Sequence, residues 1–254
     1  MTSKTPPLTR DGKPRAFFGR RVGKSLPGRQ AELFETLLPE LEIGFRGETD
    51  RLAPLTPFAN PDAPLVLEIG YGGGEHLARQ ALENPGTNFL GAEVFANSIG
   101  KMLENIAEHD LKNIRLFAFD ALDLLRDLPE GALSGVYLLY PDPWPKTRHH
   151  KRRFISPTTL TELARTVAPG GFFRFATDIE DYADWGLAHI LRQSEFVWEH
   201  GAPGNWHIPY PGWQPTRYEQ KAREEGRTKS WYFTFRRRRV MSFFDEIKTH
   251  DLSP

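Results

Sequence analysis

From Leu65 onward, short continuous apolar runs recur at intervals of about 25 residues, a rhythm that leaves few folds open. They read LVLEIG (65–70), NFLGAEV (88–94), NIRLFAFD (113–120) and GVYLLYPD (135–142). Runs this short and this uniformly apolar suit parallel strands covered on both faces. Between the second and third, Ile99, Met102, Leu103 and Ile106 repeat with helical spacing. Ser156-Pro157 supplies an N-cap and a first-turn proline for a helix carried by Leu160, Leu163, Ala164 and Val167, which Pro169-Gly170-Gly171 should end. A fifth strand, GFFRFATD, follows, then a helix through Trp185 and Ile190. Two aromatic runs, EFVWEH (195–200) and SWYFTFRR (230–237), suit an antiparallel pair at the sheet edge. The expected fold class is α/β, a doubly wound, seven-stranded, mostly parallel sheet.

The flanks differ from this core. Residues 1–29 hold eight Lys and Arg against the single acid Asp11, a net +7, and the chain as a whole sums to zero. Such a segment suits an arm that finds phosphates and folds when RNA arrives. A helix is predicted over Gln30 to Leu38, ending before Pro39. The expected organisation is a basic arm with a short helix over 1–62, one α/β domain over 63–240 and a tail over 241–254. With 254 residues, burial of roughly three quarters of the unfolded surface is within reach of one core. No apolar run approaches the about 20 residues that cross a bilayer, and the N-terminus lacks a secretory pattern. A soluble cytoplasmic protein is expected, without a membrane and without an obligatory protein partner. Zero cysteines exclude disulfides, thiol nucleophiles and cysteine-held metal centres. No spaced set of other ligands suggests a metal.

Ligands of open α/β sheets sit beyond the carboxyl ends of the strands. The first strand ends in Gly70-Tyr71-Gly72-Gly73-Gly74, where Gly70, Gly72 and Gly74 allow a ligand close to the backbone. The dinucleotide fingerprint would need glycine at position 75. Glu75 stands there, and a carboxylate at a helix N-terminus repels pyrophosphate, so nicotinamide chemistry is disfavoured. Three successive strand ends instead present acids: Glu68, Glu93 and Asp120. A cationic, phosphate-free adenosine cofactor suits that pattern. Glu93 can accept both ribose hydroxyls, Asp120 the adenine amino group, and Glu68 lies near the ammonium and sulfonium of S-adenosylmethionine.

The fourth strand runs into Tyr140-Pro141-Asp142-Pro143-Trp144-Pro145-Lys146, followed by Thr147-Arg148-His149-His150-Lys151-Arg152-Arg153. Prolines stiffen the backbone around Asp142 and Trp144, so a carboxylate and an indole are presented rigidly to an aromatic base. Stacking on such a ring contributes about 1–3 kcal/mol per base, and a carboxylate can accept the N1 and N2 protons of guanine. The alternative is a stiff turn with Trp144 packed in the core. Lys146, Arg148, Lys151, Arg152 and Arg153 begin two residues beyond the indole, where they can clamp phosphates.

These segments, with EIGYGGG upstream, Ala176-Thr177-Asp178 after the fifth strand and Thr216-Arg217-Tyr218-Glu219 downstream, resemble the bacterial tRNA (guanine-N7-)-methyltransferase family. The resemblance runs from about Phe17 to about Arg237. It implies methyl transfer from S-adenosylmethionine to N7 of the guanine at tRNA position 46, in the variable loop. It also implies that Glu68, Glu93, Asp120 and Asp142 surround the cofactor, with Asp142 catalytic. Lys146, Asp178, Thr216, Arg217, Tyr218 and Glu219 would bind substrate, and His149, His150, Lys151, Arg152 and Arg153 would contact RNA. A methyltransferase of the same fold acting on another RNA atom or on a small molecule is the alternative, and a non-catalytic RNA-binding module a further one.

Overall fold

A computed structural model of the chain describes residue 23 and residues 25–44, 58–199 and 204–239. The basic arm before Gly23 and the tail after residue 239 lie outside the described residues, as does the expectation that the arm folds on RNA. Seven strands form one sheet: β1 Leu65–Ile69, β2 Asn88–Ala92, β3 Ile114–Phe117, β4 Leu133–Leu139, β5 Val167–Thr177, β6 Phe196–Trp198 and β7 Trp231–Arg237. Their order is β3-β2-β1-β4-β5-β7-β6, parallel except for β7, which runs antiparallel to both neighbours. The two aromatic runs thus form the expected edge pair, with the later one inserted beside β5.

The period of two along each strand sorts side chains between two apolar layers. On one face Leu67 and Ile69 pack with Leu124, Leu160, Leu163 and Tyr182, which come from α5 (Ala121–Asp127), α6 (Pro157–Thr166) and α7 (Glu180–Leu191). On the other, Val66 packs with Leu77, Ile99, Met102 and Leu103, from α3 (Glu75–Glu83) and α4 (Ala96–His109). Glu68 shares the face of Val66, the alternation that decides where its carboxylate goes.

Ser156 caps α6 as expected: its hydroxyl accepts from Thr159 N, and Thr159 answers through the Ser156 backbone N–H. Such a cap stabilises by about 1 kcal/mol. Two boundaries differ from those the sequence predicts. Pro39 does not end the N-terminal helix; α1 (Gly28–Thr36) yields at Leu37 and Pro39 lies in the first turn of a second short helix, α2 (Leu38–Leu41), where a missing N–H costs nothing. Likewise α6 stops at Thr166, and Val167 already pairs with Leu133 in β5. Pro169-Gly170-Gly171 is then an irregularity within the strand, with Gly170 at φ 83° and pairing resumed at Gly135 and Phe172.

Candidate active site

Beyond the carboxyl ends of β1 to β4 lies a cavity of about 460 Å³, lined by Gly70, Glu93, Asp120, Tyr140, Asp142, Trp144 and Arg152, with Phe95, Ser98 and Phe119 completing its wall. Most come from a strand end or the loop following it, because there the backbone leaves the sheet and the helices diverge, while Ser98 stands in the first turn of α4 and Arg152 ends the 3₁₀ turn Thr147–Arg152. Gly70 sits at φ 68° and nothing lies within 4 Å of where a Cβ would stand, so the glycine keeps that part of the floor open.

Glu93 is fixed by main-chain donors. Its Oε1 accepts from Val94 N at 2.7 Å and Phe95 N at 3.0 Å, and its Oε2 from Gly72 N at 3.1 Å. Burial pushes its carboxyl pKa up, those three N–H groups oppose the rise, and the charge of Asp142 adds to it. Asp120 lines the cavity while capping α5, accepting from Leu122 N at 2.9 Å. Asp142 is exposed at the mouth, yet the surrounding walls strip enough water from its carboxyl to raise its pKa too.

The segment that carries Asp142 is bent at both ends. Tyr140 has φ 51° and Trp144 φ 44°, left-handed conformations that cost a bulky residue about 1–3 kcal/mol each and persist only where the surroundings impose them. Trp144 carries the guanidinium of Arg152 over its ring at 4.9 Å and the edge of His149 at 6.0 Å between centroids. The 3₁₀ turn Thr147–Arg152 holds the rest of the basic run, in which Lys146, Arg148 and Lys151 are exposed. Desolvation first, then the charges of Arg152, Arg148, Lys146 and Lys151, hold the His149 imidazole below its usual pKa.

Other expected site residues stand further back. Glu68 does not line the cavity. It faces α3, where His76 Nδ1 lies 2.7 Å from its Oε2 and His76 Nε2 lies 3.0 Å from the Tyr210 hydroxyl. Gly72 serves through its N–H to Glu93, and Gly74 (φ 83°) caps α3 where a Cβ would run into Met102. Glu219 is turned inward, 2% exposed, accepting from Tyr232 Oη at 2.7 Å and Trp213 Nε1 at 3.1 Å. Thr216 caps α8 (Arg217–Glu224) by accepting from Glu219 N. Arg217 is exposed, with Nη1 3.7 Å from Glu75 Oε1. His150 leans on Trp185, ring centroids 5.3 Å apart. Arg153 is the clearest departure from the RNA-contact expectation: its side chain is fully buried, so it cannot reach a phosphate.

Asp178 and Tyr218 are joined through Arg227, a residue that no sequence motif singles out. Arg227 donates to Asp178 Oδ2 at 2.6 Å and to the Tyr218 hydroxyl at 3.1 Å. Tyr218 in turn packs 5.2 Å from Tyr140 at the cavity. Arg227 lies in a polar loop, GRTKS, whose composition marks nothing but a turn.

A family model described as a putative methyltransferase matches residues 62–231. The tRNA (guanine-N(7)-)-methyltransferase of Agrobacterium fabrum is 48% identical over 225 residues, covering 88% of this chain and 95% of its own length. That of Rhizobium johnstonii is 49% identical over 223 residues, covering 87% and 94%. The chain belongs to the tRNA (guanine-N(7)-)-methyltransferase family. Among solved structures, the 16S rRNA methyltransferase KamB is similar at a TM-score of 0.50 and 14% identity, over 74% of this chain and 97% of that one. That likeness bears on the fold, which is Rossmann-like as expected.

The methyl donor of the family is S-adenosylmethionine, and the residues present fit it. The cavity volume falls in the range of about 300–1,000 Å³ usual for small ligands. Gly70 lines it without a side chain, and two acids anchored by main-chain N–H groups, Glu93 and Asp120, line it as hydrogen-bond acceptors of the kind an adenosine takes.

Proposed function

We propose that this methyltransferase acts on N7 of the guanine at tRNA position 46, in the variable loop, with Asp142 as its catalytic residue. The supporting observation is that Asp142 and Trp144 share one cavity with Glu93 and Asp120, while the basic turn Thr147–Arg152 starts at its lip. When bound, S-adenosylmethionine supplies a methyl group activated by its sulfonium. Guanine N7 carries an in-plane lone pair and no proton, so attack needs no general base. Asp142 orients guanine through its N1 and N2 protons and offsets the positive charge that grows on the ring as N7 attacks. Trp144 offers a stacking face. Glu93 and Asp120 hold the adenosine moiety. Lys146, Arg148 and Lys151 meet phosphates from the rim, and Asp178, Tyr218 and Arg227 form the far side of the substrate surface. A cytoplasmic site of action follows from a tRNA substrate; among the described residues no helix is long and apolar enough to cross a membrane.

The test is methyl transfer from labelled S-adenosylmethionine to unmodified tRNA transcripts. One transcript carries guanine at position 46 and its twin 7-deazaguanine there. Transfer to the first alone is expected. Equal transfer to both would move the target to another atom or another nucleotide.

A further inference from the structure

The buried Arg153 lies at the end of the basic run but points away from it. Its Nε donates to the carbonyl oxygen of Pro143 at 2.8 Å, and Pro143 is the residue between Asp142 and Trp144. The other side of the guanidinium pairs with the Asp181 carboxylate and reaches the Asp181 carbonyl oxygen at 3.5 Å. The rings of Tyr182 and Trp185 pack on the guanidinium at 5.0 and 5.2 Å. Asp181 stands in the first turn of α7, where a carboxylate is favoured by the helix dipole. The α7 helix is anchored in the core by Tyr182, Ala183 and Ile190.

We infer that Arg153 is a positioning residue, which with Asp181 ties the Pro141-Asp142-Pro143 segment to α7 and so fixes where Asp142 and Trp144 meet the guanine. A carbonyl in mid-loop has no strand or helix to pair with, and the left-handed turns at Tyr140 and Trp144 need outside support to persist. A planar fork can serve the Pro143 carbonyl and the Asp181 carboxylate together; a lysine ammonium on a flexible stem lacks that geometry. Misplacing a reacting pair by about 1 Å can cost on the order of 100-fold in rate.

The inference rests on the proposed role of Asp142, and the experiment separates the two. Turnover at saturating substrates and tRNA affinity as a function of salt are measured for Arg153→Lys, Asp181→Asn, their double variant and Asp142→Ala, with near-ultraviolet circular dichroism as the check on folding. Arg153→Lys keeps its charge, and its kcat is expected to fall by about 100-fold while tRNA affinity and salt dependence stay unchanged. Asp181→Asn lies at the surface end of the pair and tests the idea even if the lysine variant does not fold. Its kcat should fall in the same direction, and the double variant should be no slower than Arg153→Lys alone. The inference is overturned if kcat survives in both single variants while Asp142→Ala loses it. It is overturned equally if Arg153→Lys weakens tRNA binding at every salt concentration with kcat intact, the signature of a guanidinium fork that had held a phosphate. Full turnover by Asp142→Ala would instead overturn the site reading on which it stands.

Discussion

The Glu68 carboxylate lies 2.7 Å from Nδ1 of His76, and both side chains are 4% exposed. Among the described residues, this buried acid has His76 as its one side-chain hydrogen-bond partner. His76 reaches beyond it to the Tyr210 hydroxyl at 3.0 Å, so one imidazole joins the end of β1, the start of α3 and the loop that leads to α8.

His76→Ala is therefore expected to destabilise by about 3 kcal/mol, because it strands a buried carboxylate. For a chain of this size that is roughly a 6–12 °C fall in Tm by calorimetry. Adding Glu68→Gln should recover part of the loss. A double variant that melts no higher than His76→Ala would show that the stranded charge is not what destabilises the single variant.

At Glu93 the charged form accepts three main-chain N–H bonds while burial opposes it, and burial wins. Its folded pKa lies above the unfolded one. Its contribution to stability is therefore fully present below the unfolded value and is lost as pH rises through the raised folded value. Ligand binding runs the other way, since an adenosine diol needs the carboxylate ionised. Affinity for S-adenosylmethionine, measured by calorimetry, should thus weaken as pH falls toward the range just above ordinary carboxylate values. Glu93→Gln should weaken it by about 10- to 100-fold at neutral pH and flatten that dependence. A variant with the parent's pH profile would remove Glu93 from the site.

Asp142 is exposed at the mouth of the cavity and its carboxyl is desolvated there. Asp142→Ala is expected to lower single-turnover methylation by about 100-fold or more, with a smaller change in cofactor affinity. Rapid-quench kinetics decides the point: undiminished single turnover would leave Asp142 without a part in the chemistry.

Glu219 collects the Tyr232 hydroxyl, the Trp213 indole N–H and the Arg223 guanidinium around one buried carboxylate. Glu219→Ala removes the acceptor of the buried Tyr232 hydroxyl and of the half-buried Trp213 indole N–H and should cost about 2 kcal/mol, while Glu219→Gln should cost less. If both variants melt with the parent yet lose tRNA affinity, Glu219 faces the substrate directly.

Several site residues are legible in the sequence because their place follows from strand ends. The acids at 93 and 120 and the Pro-Asp-Pro-Trp segment fall after apolar runs, and the sheet delivers them to one cavity. Glu68 does not share that cavity lining, because it lies within β1 and the alternation of side chains turns it toward His76 of α3. Arg153 looks like its cationic neighbours because charge alone is visible in a run of basic letters. Arg227 carries no signal, since its partners Asp178 and Tyr218 lie 49 and 9 residues away.

By itself the sequence determined the seven strands, the glycine turn, the acids at the strand ends and the family, since periodicity and motif are local properties of the chain. Tertiary structure alone decided which charged side chains face solvent and which are consumed inside. That depends on neighbours brought from distant segments, such as Asp181 and Pro143 meeting at Arg153, and desolvation rather than residue type sets what a charge can do there.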